Sequence, residues 1–124
     1  RMAGAIASTD HAVEVITTGS FGTIQADQAQ ALATVLNELV ANSVEHGLAD
    51  RDGLIEVRAE REGTSMTVTV ADDGVGFVPG TPMSGLGTQI VHQMVRGELR
   101  GSIEWTPREG GGTLVTLMIN LDPA

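Results

Sequence analysis

The sequence predicts an α+β fold, a two-layer sandwich in which one mixed sheet carries helices on a single face. Three observations predict it. Segments 54–60 and 65–71 alternate apolar and polar residues across a Glu62-Gly63 turn, which reads as a hairpin. Segments 102–106 and 113–121 repeat that arrangement across the loop PREGGG. Two stretches with helical spacing of apolar residues, 28–46 and 87–96, lie before and between these hairpins. Paired strands separated by helices build one sheet with its helices on one side.

Each element follows in chain order. Residues 12–18 (AVEVITT) alternate as a strand does, and 19–25 form a glycine-containing turn with a candidate short strand. Asp27 is the expected N-cap of the first helix, with Gln30 completing a weak capping box. Leu32, Leu36, Leu39, Val40 and Ser43 then recur at helical spacing, and Gly47 is the expected C′ residue. After the first hairpin comes a Gly/Pro-rich loop, 72–87. The second helix buries Ile90, Val91, Met94 and Val95, and Gly97 and Gly101 bracket the turn that follows it.

Composition narrows the function. The 124 residues suit one domain spanning 1–124 with one hydrophobic core. Aromatics are only Phe21, Phe77 and Trp105, so that core is aliphatic. Seven Arg, no Lys and sixteen acidic residues leave a net charge of −9, which opposes sequence-independent nucleic-acid binding. Phosphates can still be held by a metal and backbone N–H groups. The absence of cysteine excludes disulfides, thiolate zinc sites and thiol catalysis. No apolar run approaches a membrane span, and RMAGAIASTD lacks the core of a signal peptide. A first residue of Arg suggests a fragment of a longer chain.

Four constellations carry candidate chemistry. On the first helix, Glu38 and Asn42 are spaced i, i+4 and share a face, with His46 one turn beyond. A carboxylate and a carboxamide so stacked suit a hard cation or a positioned water, although a solvated polar face has the same pattern. The second is A71-D72-D73-G74-V75-G76-F77, where a strand runs out into a loop. A carboxylate there can accept from an exocyclic amine, which selects adenine over guanine, whose carbonyl would repel it. By itself this motif is also an ordinary turn. The third is S84-G85-L86-G87-T88, a glycine loop opening a helix, where free N–H groups and the dipole favour phosphate. It is neither a Walker loop nor a dinucleotide fingerprint. The fourth is G110-G111-G112-T113, which offers close approach and a hydroxyl but is alone also a flexible hairpin loop.

Taken in order, these motifs resemble the ATP-binding superfamily of gyrase, Hsp90-type chaperones, histidine kinases and MutL proteins, whose fold is the Bergerat-type sandwich. The match rests on Glu38 and Asn42 (N box), Asp72, Gly74 and Gly76 (first glycine box), Gly85 and Gly87 (second glycine box) and Thr113. The wording LNELVANSVEHG, DDGVGF and SGLGTQIVHQMVRGELRGSIEW is similar to bacterial sensor histidine kinases of the HWE-like or related soluble groups. Actinobacterial sensor kinases that signal to RNA-binding antiterminator regulators are one candidate source. The resemblance implies roles. Asn42 would coordinate Mg²⁺ on the ATP phosphates, and Glu38 would position a water or act as base. Asp72 would bind adenine N6, with Thr113 assisting through a water. Gly74 and Gly76 would shape the adenine pocket, and Gly85, Leu86 and Gly87 would face the phosphates. The lid would be 74–86.

Departures from the pattern are visible. Glu45 stands where many members carry a basic residue, which leaves His46 as a candidate nucleotide contact. The lid is short, and Phe77 reads as a packing residue. None of His11, His46 and His92 lies in a helical acceptor motif. The acceptor histidine is therefore expected on a separate dimerisation domain, with a response regulator downstream. The domain alone should be a cytoplasmic monomer that binds ATP and is nearly inert as a kinase. An anti-sigma-factor serine kinase and a non-catalytic nucleotide-sensing module are the alternatives.

Overall fold

The computed structural model describes residues 2–7, 12–44, 53–74 and 86–122, with side chains at 14–44, 53–74 and 88–122. Along the chain run β1 (Met2–Ala7), β2 (Ala12–Gly19), α1 (Ala26–Asn42), β3 (Gly53–Glu62), β4 (Ser65–Asp72), α2 (Leu86–Arg96), β5 (Ser102–Pro107) and β6 (Thr113–Asn120). Among the described residues the strands form one sheet in the order β1-β2-β3-β4-β6-β5. Only β2 and β3 pair in parallel, which requires the crossover that α1 supplies. The other pairs are antiparallel, with both expected hairpins present. This is the mixed-sheet α+β sandwich that the sequence predicts.

Period-two alternation sorts each strand into two faces. Ile55, Val57 and Ala59 of β3, Met66, Val68 and Val70 of β4, and Val115, Leu117 and Ile119 of β6 are buried on the same side. Val35 and Leu39 of α1 and Val91 and Val95 of α2 cover them, and Ile103 and Trp105 of β5 close the edge. The opposite face carries Arg58 and Glu60 on β3 and Met118 on β6, all exposed.

Three local details depart from expectation. The first is at the start of α1, which begins at Ala26 behind an extended Gln25, with no side-chain cap bond. Asp27 is not the cap. It sits in the first turn, where its charge opposes the positive end of the helix dipole. The reason is Gln28, which is 2% exposed. Its amide donates to the carbonyls of Glu98 (2.9 Å) and Asn120 (3.1 Å) and accepts from the Asp122 N–H (2.7 Å). Placing Gln28 on the inner face sets the phase of the helix. Ser43, still helical, donates its N–H to the Leu39 and Val40 carbonyls, and the expected cap Gly47 lies outside the described residues.

The second departure is that residues 20–25 form no strand. Arg61 instead pins this loop, its Nη1 donating to the carbonyls of Phe21 (2.8 Å) and Thr23 (2.6 Å). The third is β1, which the sequence reading does not anticipate; it pairs along its whole length with β2.

Candidate nucleotide site

The Gln28 contacts orient the helices. They hold the start of α1 against the end of β6 and the turn just after α2. A 17-residue helix spans about 26 Å and an eight-residue strand about 27 Å, so α1 runs the length of β6 in the opposite sense. The far end of the sandwich therefore gathers the end of α1, the end of β4 and the start of β6.

Asp72, the last residue of β4, is 2% exposed. One carboxylate oxygen, Oδ1, accepts the Gly74 N–H (3.0 Å) and the Thr113 N–H (3.3 Å). The second oxygen has no partner among the described residues, where no fully buried side-chain nitrogen or oxygen is left unpaired. The result is a charge held in place by two backbone donors with one acceptor to spare. Such an acceptor suits an amine.

The donor from Thr113 is delivered by an unusual approach. Gly112 has φ +101, and a Cβ there would lie 1.9 Å from the Asp72 carbonyl oxygen. The loop is closed by Arg108 N–H to Gly112 O and Gly111 N–H to Arg108 O, both 3.0 Å. Thr113 is itself buried, and its hydroxyl makes no hydrogen bond among the described residues. Asp73 completes the turn. Its N–H donates to Leu54 O (3.3 Å) and its Oδ1 accepts the Leu54 N–H (2.9 Å).

On α1, Glu38 and Asn42 are half-buried on either side of the buried Leu39. Neither makes a side-chain hydrogen bond among the described residues, so both are available to a ligand. α2 begins at Leu86, one residue before the expected start, with Gly87 next and Thr88 buried in the first turn. Gly76, Gly85 and His46 lie outside the described residues, as does most of the expected lid. Gly74 is described and contributes its N–H. His92 packs its ring against Trp105 at 5.4 Å between centroids, in keeping with a packing role.

Asp72, Gly74 and Thr113, expected at the site from the motifs, are joined by hydrogen bonds in the structure. Asp73 carries no expected role, and the doublet Asp72-Asp73 is its one signal in the sequence.

Comparison with known proteins identifies the family. A family model described as Histidine kinase-, DNA gyrase B-, and HSP90-like ATPase matches residues 27–123. The sensor histidine kinase PdtaS of Mycobacterium tuberculosis is 36% identical over 119 residues, covering 92% of this chain and 24% of that protein. The chain thus spans about a quarter of the length of this relative. The histidine kinase domain of the Erythrobacter litoralis EL346 blue-light activated histidine kinase superposes with a TM-score of 0.76 at 30% identity, over 88% of this chain and 52% of that one. The catalytic domain of the histidine kinase ThkA shares the fold at a TM-score of 0.68 and 24% identity, over 93% of this chain and 81% of that one.

Proposed function

Because the chain belongs to the histidine kinase-, DNA gyrase B- and HSP90-like ATPase family, we propose that it binds Mg-ATP and donates the γ-phosphoryl group to a histidine on a separate dimerisation domain. The single observation that carries this is the buried Asp72 carboxylate, anchored through Oδ1 by two backbone donors, with no hydrogen bond to Oδ2 among the described residues. Oδ2 accepts the adenine N6 amine, and the unbonded Thr113 hydroxyl reaches the same ring through a water. A guanine carbonyl at that position meets an acceptor and is rejected. Gly74, with Gly76 beyond it, shapes the wall of the base pocket.

The chain also suits magnesium. Among the described residues no cluster of three or more His, Cys, Asp or Glu could hold a metal alone. Mg²⁺ commonly takes one or two protein ligands and completes its shell with waters and phosphate oxygens. Asn42 supplies the carboxamide oxygen, and Glu38, one turn earlier, orients a water or takes a proton. Leu86 and Gly87 open α2, where backbone N–H groups favour phosphate, and the motif assigns Gly85 to the same contact. His46 is a further nucleotide contact. When bound, the metal neutralises charge on the phosphates. The chain's own contribution is positioning and electrostatic stabilisation.

Transfer breaks the bond between the γ-phosphorus and the β,γ-bridging oxygen, forms a phosphorus–nitrogen bond to the acceptor imidazole and releases ADP. A response regulator then takes the phosphoryl group. The acceptor belongs to the part of the protein beyond this chain, which matches a quarter of its sensor-kinase relative. No helix among the described residues is long and apolar enough to cross a membrane. The proposed setting is the cytoplasm, with this domain monomeric on its own.

Calorimetry with Asp72→Asn tests the base assignment. The amide removes the acceptor at Oδ2, so ATP affinity should fall about ten- to hundredfold, the range of one charge-assisted hydrogen bond, and preference over GTP should shrink. Unchanged affinity and preference would refute it. Supplying a histidine-bearing dimerisation domain in trans tests the acceptor: labelled phosphate on serine alone would favour an anti-sigma-type kinase.

A further inference from the structure

The β3–β4 ladder ends in an irregular pair. The last regular partners are Ile55 and Asp72, and the next pair would be Leu54 and Asp73. In an ordinary hydrogen-bonded antiparallel pair the two residues exchange both backbone bonds. Here Asp73 donates its N–H to Leu54 O at 3.3 Å, but the Leu54 N–H goes to the Asp73 side chain, Oδ1, at 2.9 Å. The carboxylate stands in for the residue's own carbonyl. That carbonyl is released from the ladder, and the chain can leave the sheet one residue later. The residue it leaves through is Gly74, whose N–H anchors the Asp72 carboxylate at 3.0 Å. Leu54 is also the second residue of β3, so the same contact ties the strand arriving from α1 to the loop departing from β4.

We propose that Asp73 is a positioning residue for base recognition: its carboxylate ends the ladder at the point that turns the Gly74 N–H onto Asp72. This rests on the assignment of Asp72 to the adenine amine. Asp73 touches no nucleotide. It acts by fixing which Asp72 oxygen is occupied and which is free. Because Asp73 is exposed, the contact contributes little to the core, and its effect falls on the selectivity of the site.

The test is calorimetric titration of this chain with Mg-ATP and Mg-GTP, paired with thermal unfolding of the nucleotide-free protein. Asp73→Ala should weaken ATP about tenfold, the factor one charge-assisted hydrogen bond sets, and shrink the ATP-to-GTP ratio. Its unfolding temperature should stay within about 3 °C of the parent. Asp73→Asn keeps a carbonyl acceptor for Leu54 and should restore affinity to within about threefold. The proposal is overturned by an unchanged ATP-to-GTP ratio in Asp73→Ala, by Asn performing as poorly as Ala, or by an unfolding temperature that falls in step with affinity. Amide hydrogen exchange on the unmutated chain adds an independent check. The Leu54 N–H should be protected without nucleotide, and exchange at the rate of free peptide would also overturn the proposal. Asp72→Asn run in parallel separates the two readings. If its ATP-to-GTP ratio holds at the parent value, the base assignment itself fails. If that ratio collapses while Asp73→Ala leaves it intact, only the role of Asp73 fails.

Discussion

Replacing Gly112 by Ala should cripple nucleotide binding while a neighbouring glycine tolerates the same change. At Gly112 a Cβ would meet the Asp72 carbonyl oxygen at 1.9 Å, its carbon at 2.8 Å and the Asp73 Cα at 3.1 Å. All three are backbone atoms, so the collision cannot be relieved by rotating a side chain. The residue also sits at φ +101, a conformation whose cost for a non-glycine residue is about 1–3 kcal/mol. Relief requires β6 to draw back from β4, which pulls the Thr113 N–H off Asp72. That hydrogen bond is to a charged group, and its loss costs about 1.5–3 kcal/mol. Gly110 supplies the control. Its φ is +87, yet a Cβ there meets nothing within 4 Å. Gly110→Ala should therefore show the backbone cost alone, about 1–3 kcal/mol of stability, with ATP affinity intact. Gly112→Ala should add to that a loss of ATP affinity of about tenfold or more. Thermal unfolding and ATP titration of the two variants decide the matter. Equal losses of stability and equal, undiminished affinities would show that the close approach to Asp72 does not govern the site.

Two further outcomes follow from other parts of the structure. Gln28→Ala leaves the carbonyls of Glu98 and Asn120 and the N–H of Asp122 without their partner, so unfolding should require about 2–4 kcal/mol less. The ATP-to-GTP ratio should hold, because these contacts lie at the opposite end of the sandwich. A shifted ratio would contradict that placement. Asn42→Ala should weaken ATP strongly when magnesium is present and little when it is chelated, and equal weakening in both conditions would remove Asn42 as a metal ligand.

Much of the fold is legible in the sequence because one face of the sheet is buried and the other is not. β3, β4 and β6 alternate for that reason, and both hairpins could be read from the pattern. The start of α1 could not. Asp27 and Gln30 have the spacing of a cap, whereas the phase of the helix is set by Gln28 reaching Asn120, a contact 92 positions away. β1 was equally hidden, since Met-Ala-Gly-Ala-Ile-Ala is poor in the β-branched and aromatic residues that mark strands. At the site, motif order singles out Asp72 and Thr113, and in the structure the Thr113 N–H donates to the Asp72 carboxylate. Asp73 was not legible, because its role lies in a ladder register with Leu54 that no local pattern encodes. The expectations for Gly76, Gly85 and His46 concern residues outside those described.

The amide of Gln28 has a consequence for how the protein is made. Its three partners lie 70, 92 and 94 positions downstream. During synthesis the first helix can coil early, but its inward-facing amide does not gain its full set of partners until Asp122 has left the ribosome. The early strands share that wait, since β4 must hold its place until β6 arrives. Folding of this unit is therefore deferred to the close of its translation, and a nascent chain stalled before Asn120 would present an unsealed apolar layer to chaperones and proteases.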